Sequence, residues 1–238
     1  MLQTSQNNTR REDTRRKVVA DLDREISFGH QANFAVAKPY VRNKIVLDIG
    51  CWSGQLEQLL VSNAKKVFGL DPGKDAIGIA KKKVPQGDFS IGIAEKLPYK
   101  SNSFDLVLCY EVIEHLPRGN EQIAVNEMYR VLKSGGYLIL STPHKNLLSI
   151  LFDPAFFLLG HRHYSYEELK FLFEEAGFTI EKTLRKFGLF TGVTANLSLL
   201  TKHTLGKKIT FPSFITKKLI QEGESEGFLG IYVIAKKI

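Results

Sequence analysis

Cysteine is scarce in this sequence: two residues in 238, Cys51 and Cys109. Two thiols make no disulfide framework, and both fall where buried strand ends are expected, as reduced small core residues. Long hydrophobic runs are missing too. The most apolar stretch, Leu147–Leu159, is broken by Asp153-Pro154 and is too short to span a bilayer. Residues 1–17 are polar and charged, unlike a secretory leader, so a cytoplasmic location is expected. There is no internal repeat, no RNA-binding module and no aromatic platform interleaved with basic residues, so nucleic acid is not the expected partner. Acidic residues are the minority, 25 against 33 Lys and Arg, for a net charge of +8. Five basic residues (Arg10, Arg11, Arg15, Arg16, Lys17) and two acidic ones lie within 1–17. Such a balance attracts nucleic acid, anionic lipid or anionic substrates, and the plainer reading is a solvated basic surface.

What is present is an ordinary apolar fraction, 43%, in a chain long enough for one α/β domain with a full core. Residues 1–13 read as a disordered basic tail, and 14–238 as a single domain. Residues 14–40 have a helix-compatible pattern ending near Pro39. Lys44–Ile49, Lys66–Leu70, Asp88–Ile93, Phe104–Cys109 and Tyr137–Ser141 read as strands. Gln55–Asn63, Lys74–Lys83 and Gln122–Leu132 read as the helices between them, the last stopped by Ser134-Gly135-Gly136. Tyr166–Ala176 is a further helix stopped by Gly177. Phe178–Leu184 and Gly230–Ala235 read as a final antiparallel pair. This alternation implies a parallel sheet covered on both faces. Residues 145–163 and 188–227 fall outside it and read as insertions.

The first strand ends in Asp48-Ile49-Gly50-Cys51-Trp52-Ser53-Gly54. Glycines at 50 and 54 let a ligand approach the backbone where a Cβ would obstruct it. The spacing is not the G-x-G-x-x-G of dinucleotide sites, which places a pyrophosphate on a helix N-terminus. The second strand ends in Asp71, twenty-three residues after Asp48, where a carboxylate can accept both ribose hydroxyls of an adenosine. Each signal alone is weak; their order and distance make them specific together.

Val46–Gly54, Gly69-Leu70-Asp71-Pro72, Ala94-Glu95-Lys96-Leu97-Pro98-Tyr99, Ser103-Phe104-Asp105-Leu106-Val107, Glu114-His115-Leu116 and Val131-Leu132-Lys133-Ser134-Gly135-Gly136 resemble, in order, the motifs of class I S-adenosylmethionine (SAM)-dependent methyltransferases of the small-molecule type. The resemblance covers about residues 40–185. It implies a Rossmann-like, doubly wound α/β fold: a mostly parallel seven-stranded sheet, helices on both faces and an antiparallel terminal strand. It implies SAM as cofactor. Gly50, Cys51 and Gly54 would form the turn at the methionine end, with Asp48 near the amino group. Asp71 would hold the ribose, Pro72 would sit beside the adenine, and Ala94 and Glu95 would border its edge. Cys109 and Tyr110 would face the reacting centre. Two residues depart from the family pattern. Trp52 replaces a Gly and is expected to point away and pack on the next helix. Ile93 replaces an Asp that contacts adenine, with Asp88 as a candidate substitute.

Methyl transfer from a sulfonium needs alignment more than a nucleophilic side chain. A hydroxyl acceptor also needs its proton removed, by a base or through a metal. Glu111-Val112-Ile113-Glu114-His115 would put Glu111, Glu114 and His115 on one face of a helical turn. The pattern is similar to that of the quinone-precursor O-methyltransferases and of small-RNA 2′-O-methyltransferases. In both it binds a metal, so a divalent cation (Mg or Zn) on these three residues is one reading, with His144, His161 or His163 as further ligands. Local structure, or a metal-free site with His115, Glu114 and Tyr110 as catalytic residues, is the other. His161 and His163 read as solvated loop residues.

Acceptor choice belongs to the insertions. Leu147, Leu148, Ile150, Leu151, Phe152, Phe156, Phe157, Leu158 and Leu159 are more apolar than a loop needs. They read as a hydrophobic cap, a wall for a lipophilic acceptor, or a patch touching a membrane. Lys207, Lys208, Lys217 and Lys218 would suit an anionic bilayer. The expectation is O-methylation of a small lipophilic acceptor. The rivals are an RNA 2′-O-methyltransferase and a non-catalytic SAM-fold binding protein, the latter suggested by Trp52 and Ile93.

Overall fold

The computed structural model describes residues 26–153, 156, 161–205 and 211–238. The expected tail, the first part of the N-terminal helical segment, Phe157–Leu159 and Lys207-Lys208 lie outside the described residues. The strands are β1 (Ile45–Ile49), β2 (Lys66–Asp71), β3 (Asp88–Ile91), β4 (Phe104–Tyr110), β5 (Leu132–Pro143), β6 (Phe178–Lys186) and β7 (Gly230–Lys237). They form one sheet in the order β3-β2-β1-β4-β5-β7-β6. β1 to β5 run parallel, while β7 runs antiparallel to both β5 and β6. The sheet is thus the mostly parallel, seven-stranded one that the resemblance implies.

Two-residue periodicity sorts the strands into two apolar layers. Leu47, Ile49, Val107, Cys109, Leu138 and Leu140 face one side, where α4 (Glu121–Val131) and α6 (Tyr166–Glu175) supply Val125, Met128 and Phe173. Val46, Leu106, Leu108 and Ile139 face the other, against Ala37 and Val41 of α1 (Phe28–Val41) and Leu60 of α2 (Gln55–Leu60). Burial of each large side chain contributes about 2 kcal/mol, so the strands read as continuous hydrophobic runs because both faces are covered. α3 (Lys74–Lys83) packs Ile77 and Ala80 with Cys51 and Phe89.

Local signals placed most boundaries. Ser165 and Glu168 form a reciprocal capping box at the start of α6, and Gly177, at φ 93°, follows its end. Two expectations shift. α1 runs past Pro39 to Val41, so proline sits in its last turn. α4 ends at Val131 without a glycine stop, and β5 begins at once. Gly135 and Gly136 instead lie within β5, where its register against β4 shifts; a Cβ on Gly136 would lie 3.1 Å from the Asp105 carbonyl.

The two insertions form α5 (Leu147–Phe152), α7 (Leu189–Leu205) and α8 (Ser213–Glu224). α7 lies on α5: Gly192 has no Cβ to meet the Phe152 side chain, which would lie at 3.0 Å, and Asn196 Nδ2 donates to the Phe152 carbonyl at 2.8 Å. The Glu222 carboxylate of α8 accepts from the Phe190 and Thr191 backbone N–H groups at 3.0 and 2.6 Å. It satisfies orphan donors and complements the helix dipole at the start of α7. Among the described residues no helix is long and apolar enough to cross a membrane.

Candidate active site

Strand order reverses between β1 and β4, and in such sheets ligands bind beyond the carboxyl ends at that point. A cavity of about 370 Å³ opens there, lined by Gly50, Pro72, Ala94, Glu95, Val112 and His115 among others. Gly50 has φ 83°, and a Cβ on it would lie 2.3 Å from Val112 Cγ2, so only glycine lets the β4 loop close over the first turn. Asp71 Oδ1 accepts from Gly73 N at 2.7 Å and Oδ2 from Trp52 N at 3.1 Å. It ties the end of β2 to the first turn, and each oxygen keeps a lone pair for a ligand donor. Burial raises its pKa, opposed by those two backbone bonds.

Beneath the turn, buried Asp48 meets buried Glu57 of α2. The two carboxyls hydrogen-bond to each other. Two buried acids in contact cannot both ionise. Burial pushes Asp48 up to about 7. Glu57 is held well above the usual carboxylate range, by burial first and then by the charge of Asp48. The pair therefore shares a proton.

A second cavity, about 350 Å³, lies under the insertions. Phe28, Phe152, Phe187, Ala195 and Leu229 give it apolar walls, and Glu111, Asp153, His161 and Tyr232 are among its polar members. His161 Nδ1 is 2.6 Å from Asp153 Oδ2, and His163 Nε2 is 2.9 Å from the same oxygen. A carboxylate accepts, so neutral His161 carries its proton on Nδ1 and has its ring lone pair on Nε2. The His161 ring stacks on His115, with centroids 4.9 Å apart, and His115 lines the first cavity. Burial, then His161 and Arg162, lowers the His115 pKa.

Glu111 stands at φ 54° after β4, and the following turn is a 3-10 turn over Ile113–His115. The single helical turn expected for Glu111, Glu114 and His115 is therefore not formed. Ser141 Oγ donates to Glu111 Oε1 at 2.6 Å and Thr142 Oγ1 to Glu114 Oε2 at 3.0 Å. The two carboxyls also hydrogen-bond to each other. Glu111 is reached by water from the second cavity yet enclosed by protein elsewhere; burial raises its pKa, and burial and then Glu111 raise that of Glu114. Arg162 holds the turn from outside. Its Nε donates to the Glu114 carbonyl at 3.1 Å and its Nη2 to the Ile113 carbonyl at 2.9 Å, with further bonds to the Leu116 carbonyl and the Glu121 carboxylate.

Residues 47–140 match a family model described as a methyltransferase domain. A Mycolicibacterium smegmatis protein named "Probable S-adenosylmethionine-dependent methyltransferase" is 34% identical over 147 residues, 62% of this chain and 55% of its own. Residues 47–140 therefore form a methyltransferase domain of the class I SAM-dependent superfamily. A ubiquinone biosynthesis O-methyltransferase of Dechloromonas aromatica is 34% identical over 117 residues, 46% of this chain and 48% of its own. The chain spans about half to two thirds of the length of the curated relatives it matches. The crystal structure of a Thermotoga maritima SAM-dependent methyltransferase superposes with a TM-score of 0.64, covering 96% of this chain and 95% of that one at 24% identity. A [4+2]-cyclase superposes equally well, at 0.65 with 20% identity, covering 87% of this chain and 81% of that one. The fold alone therefore does not specify the reaction.

Within this methyltransferase fold, the first cavity collects Gly50, Pro72, Ala94 and Glu95 as the motifs imply, with Asp71 at its edge. Asn120 Nδ2 donates to Glu95 Oε1 at 3.2 Å. Asp48 lies one layer behind. Gly54 and Cys51 serve packing: a Cβ on Gly54 would lie 3.2 Å from Ala80, and Cys51 is buried against α3. Cys109 is core, with no exposed surface, and lines neither cavity. Tyr110 does not face the reacting centre either; its hydroxyl donates to the Asn33 carbonyl at 3.3 Å on the α1 side. Trp52 has φ 47° and is 44% exposed, so its indole reaches the surface. Asp88 begins β3 at the amino end of the sheet and pairs with Lys66 at 2.6 Å, so it cannot replace the adenine contact that Ile93 lacks. The His144 ring bonds to Asn146 at 3.0 Å and its carbonyl lies 3.3 Å from His163 Nδ1, but it offers no ligand atom to either group of three that could hold a cation. His161 and His163 are not solvated: Asp153 binds both, and His163 is buried. Sequence reasoning gave no role to Asp153 or Arg162, because each reaches the site across about forty residues of chain.

Proposed function

We propose that the protein transfers a methyl group from SAM to an oxygen atom of a small lipophilic acceptor. The observation that carries this reading is the His115–His161 stack, which joins the two cavities. The first fits the donor: its turn is too close for any residue but glycine at position 50, and its ribose-side carboxylate has free lone pairs. SAM supplies a methyl already activated on sulfur, which leaves with its bond pair on the thioether as the acceptor oxygen bonds the methyl. The chain's residues do the rest. Asp48 attracts the donor's ammonium, Asp71 accepts from its ribose, and apolar Ile93, Ala94 and Val112 exclude water. In the second cavity the aromatic walls hold the acceptor. His161 Nε2, oriented by Asp153, removes its hydroxyl proton. The ubiquinone-pathway relative supports an oxygen acceptor on a lipophilic ring.

A second reading follows from one observation. Glu114, His115 and His161 offer ligand atoms within 4.8 Å of one another, and Glu114 Oε1 has no donor. Two imidazoles and a carboxylate suit zinc better than magnesium, and a cation there would acidify the acceptor hydroxyl. Glu111, in the expected ligand set, is outside this group. SAM titration by calorimetry, then turnover on alkylated phenols and on RNA with and without chelator, tests both readings. Metal-free turnover of the phenols is expected. Loss of turnover in chelator would establish the cation, and methylation of RNA alone would overturn the acceptor.

A further inference from the structure

The helices that wall the acceptor cavity turn their outer sides to solvent as apolar surface. On α7, Leu189, Val193, Leu197 and Leu200 follow one another at intervals of three or four residues, so they form one stripe. On α5, Leu147, Leu148 and Leu151 are exposed as well, and across these seven residues exposure runs from 44% to 81%. The inner sides of the same helices, through Phe152, Gly192 and Ala195, line the cavity. One pair of helices thus separates an apolar surface from an apolar pocket.

The carboxylates nearest this face, Glu222 at the start of α7 and Asp153 after α5, are taken up in hydrogen bonds, and the exposed charges beside it are lysines. Residues 189–220 contain five lysines and no Asp or Glu, and α5 has no charged residue. Lys217 and Lys218 of α8 are exposed, and Lys218 Nζ lies 4.8 Å from the Phe190 ring centroid, beside the start of the stripe. Exposed apolar area of this kind marks an interaction surface. A second copy of the chain would bring unbalanced lysines together around the contact. An anionic bilayer instead accepts the leucines among its acyl chains and the lysines among its headgroups.

We infer that α5 and α7 dock on an anionic lipid surface and admit the acceptor to the cavity from the bilayer side. The docking deepens the lipophilic-acceptor reading and rests on it for its purpose, while the binding itself is measured without acceptor. The full chain is sedimented with phosphatidylcholine vesicles, with and without phosphatidylglycerol. Binding is expected only with phosphatidylglycerol and should weaken as salt rises. L151E/V193E/L197E should lower it by about tenfold or more. K217E/K218E should lower it by roughly fivefold per lysine. Both variants should keep wild-type SAM affinity, which shows that they fold. No binding to phosphatidylglycerol vesicles, or undiminished binding by L151E/V193E/L197E, overturns the inference. A wild-type dimer on gel filtration that this variant abolishes assigns the face to a second copy and overturns it too. If vesicles bind yet no lipophilic acceptor is methylated, the acceptor reading fails and the docking stands.

Discussion

His115 and His161 lie face to face, with 28° between ring planes, one ring on each side of the boundary between a nucleoside-sized crevice and an apolar pocket. They are forty-six residues apart in sequence. Their contact is where donor and acceptor would meet.

His161→Ala is expected to lower kcat by about 10²–10⁴-fold while leaving the SAM dissociation constant unchanged, because His161 lines the acceptor cavity and not the donor crevice. Asp153→Asn should follow it in part, because a neutral amide oxygen holds the Nδ1–H more weakly than the carboxylate does. Single-turnover rates alongside calorimetry check this; a His161→Ala variant with full kcat would remove the base from the mechanism.

The Asp48–Glu57 pair predicts pH dependence of two opposite signs. Asp48 titrates at about 7 in the folded protein, against roughly 4 in an unfolded chain. The fold holds this proton more tightly than the unfolded chain. Its stabilising contribution is complete below about pH 4 and is lost as pH rises through about 7. SAM affinity runs the other way, increasing as Asp48 ionises to meet the ammonium. Glu57→Gln preserves the shape of a neutral acid and removes a potential charge. The midpoint of SAM affinity against pH should move to lower pH in this variant, and an unmoved midpoint would exclude coupling between the two carboxyls.

Arg162→Ala removes a donor from the Glu114, Ile113 and Leu116 carbonyls and from the Glu121 carboxylate, of which Ile113 and Glu121 keep the Tyr164 hydroxyl. The expected loss is about 3 kcal/mol of stability, read by denaturant unfolding. Arg162→Lys should recover little of it, since an ammonium cannot span the same fork of acceptors.

Gly50→Ala should abolish measurable SAM binding and lower the melting temperature. The new Cβ meets Val112 at 2.3 Å, and a left-handed backbone adds about 1 kcal/mol for any residue with a Cβ. Gly50→Ala paired with Val112→Ala relieves the clash but keeps the backbone cost, so partial recovery of stability is expected.

Much of the sheet was legible because strand runs such as Leu106–Cys109 and turns such as Asp71-Pro72-Gly73 carry their own local signals. The glycine turn and Asp71 were legible as a pair for the same reason. Glu111 was misplaced because a left-handed residue at the strand end breaks the helical spacing. That conformation comes from Ser141 and Glu114 holding its carboxyl, not from local preference. Asp105 resembled a motif residue, and its carboxylate proves structural: it accepts from Ile45 N at 2.8 Å and pairs with Lys133 at 2.8 Å.

The sequence by itself determined the βα alternation and the glycine turn that suits SAM, because each depends on residues within one turn or one strand of each other. Only the tertiary structure decided the acceptor side. Asp153, His161 and Arg162 lie in a segment with neither helical nor strand period, so nothing local orients them. Their positions follow from α7 packing on α5 and from the Glu114 loop, whose buried carbonyls need the Arg162 guanidinium.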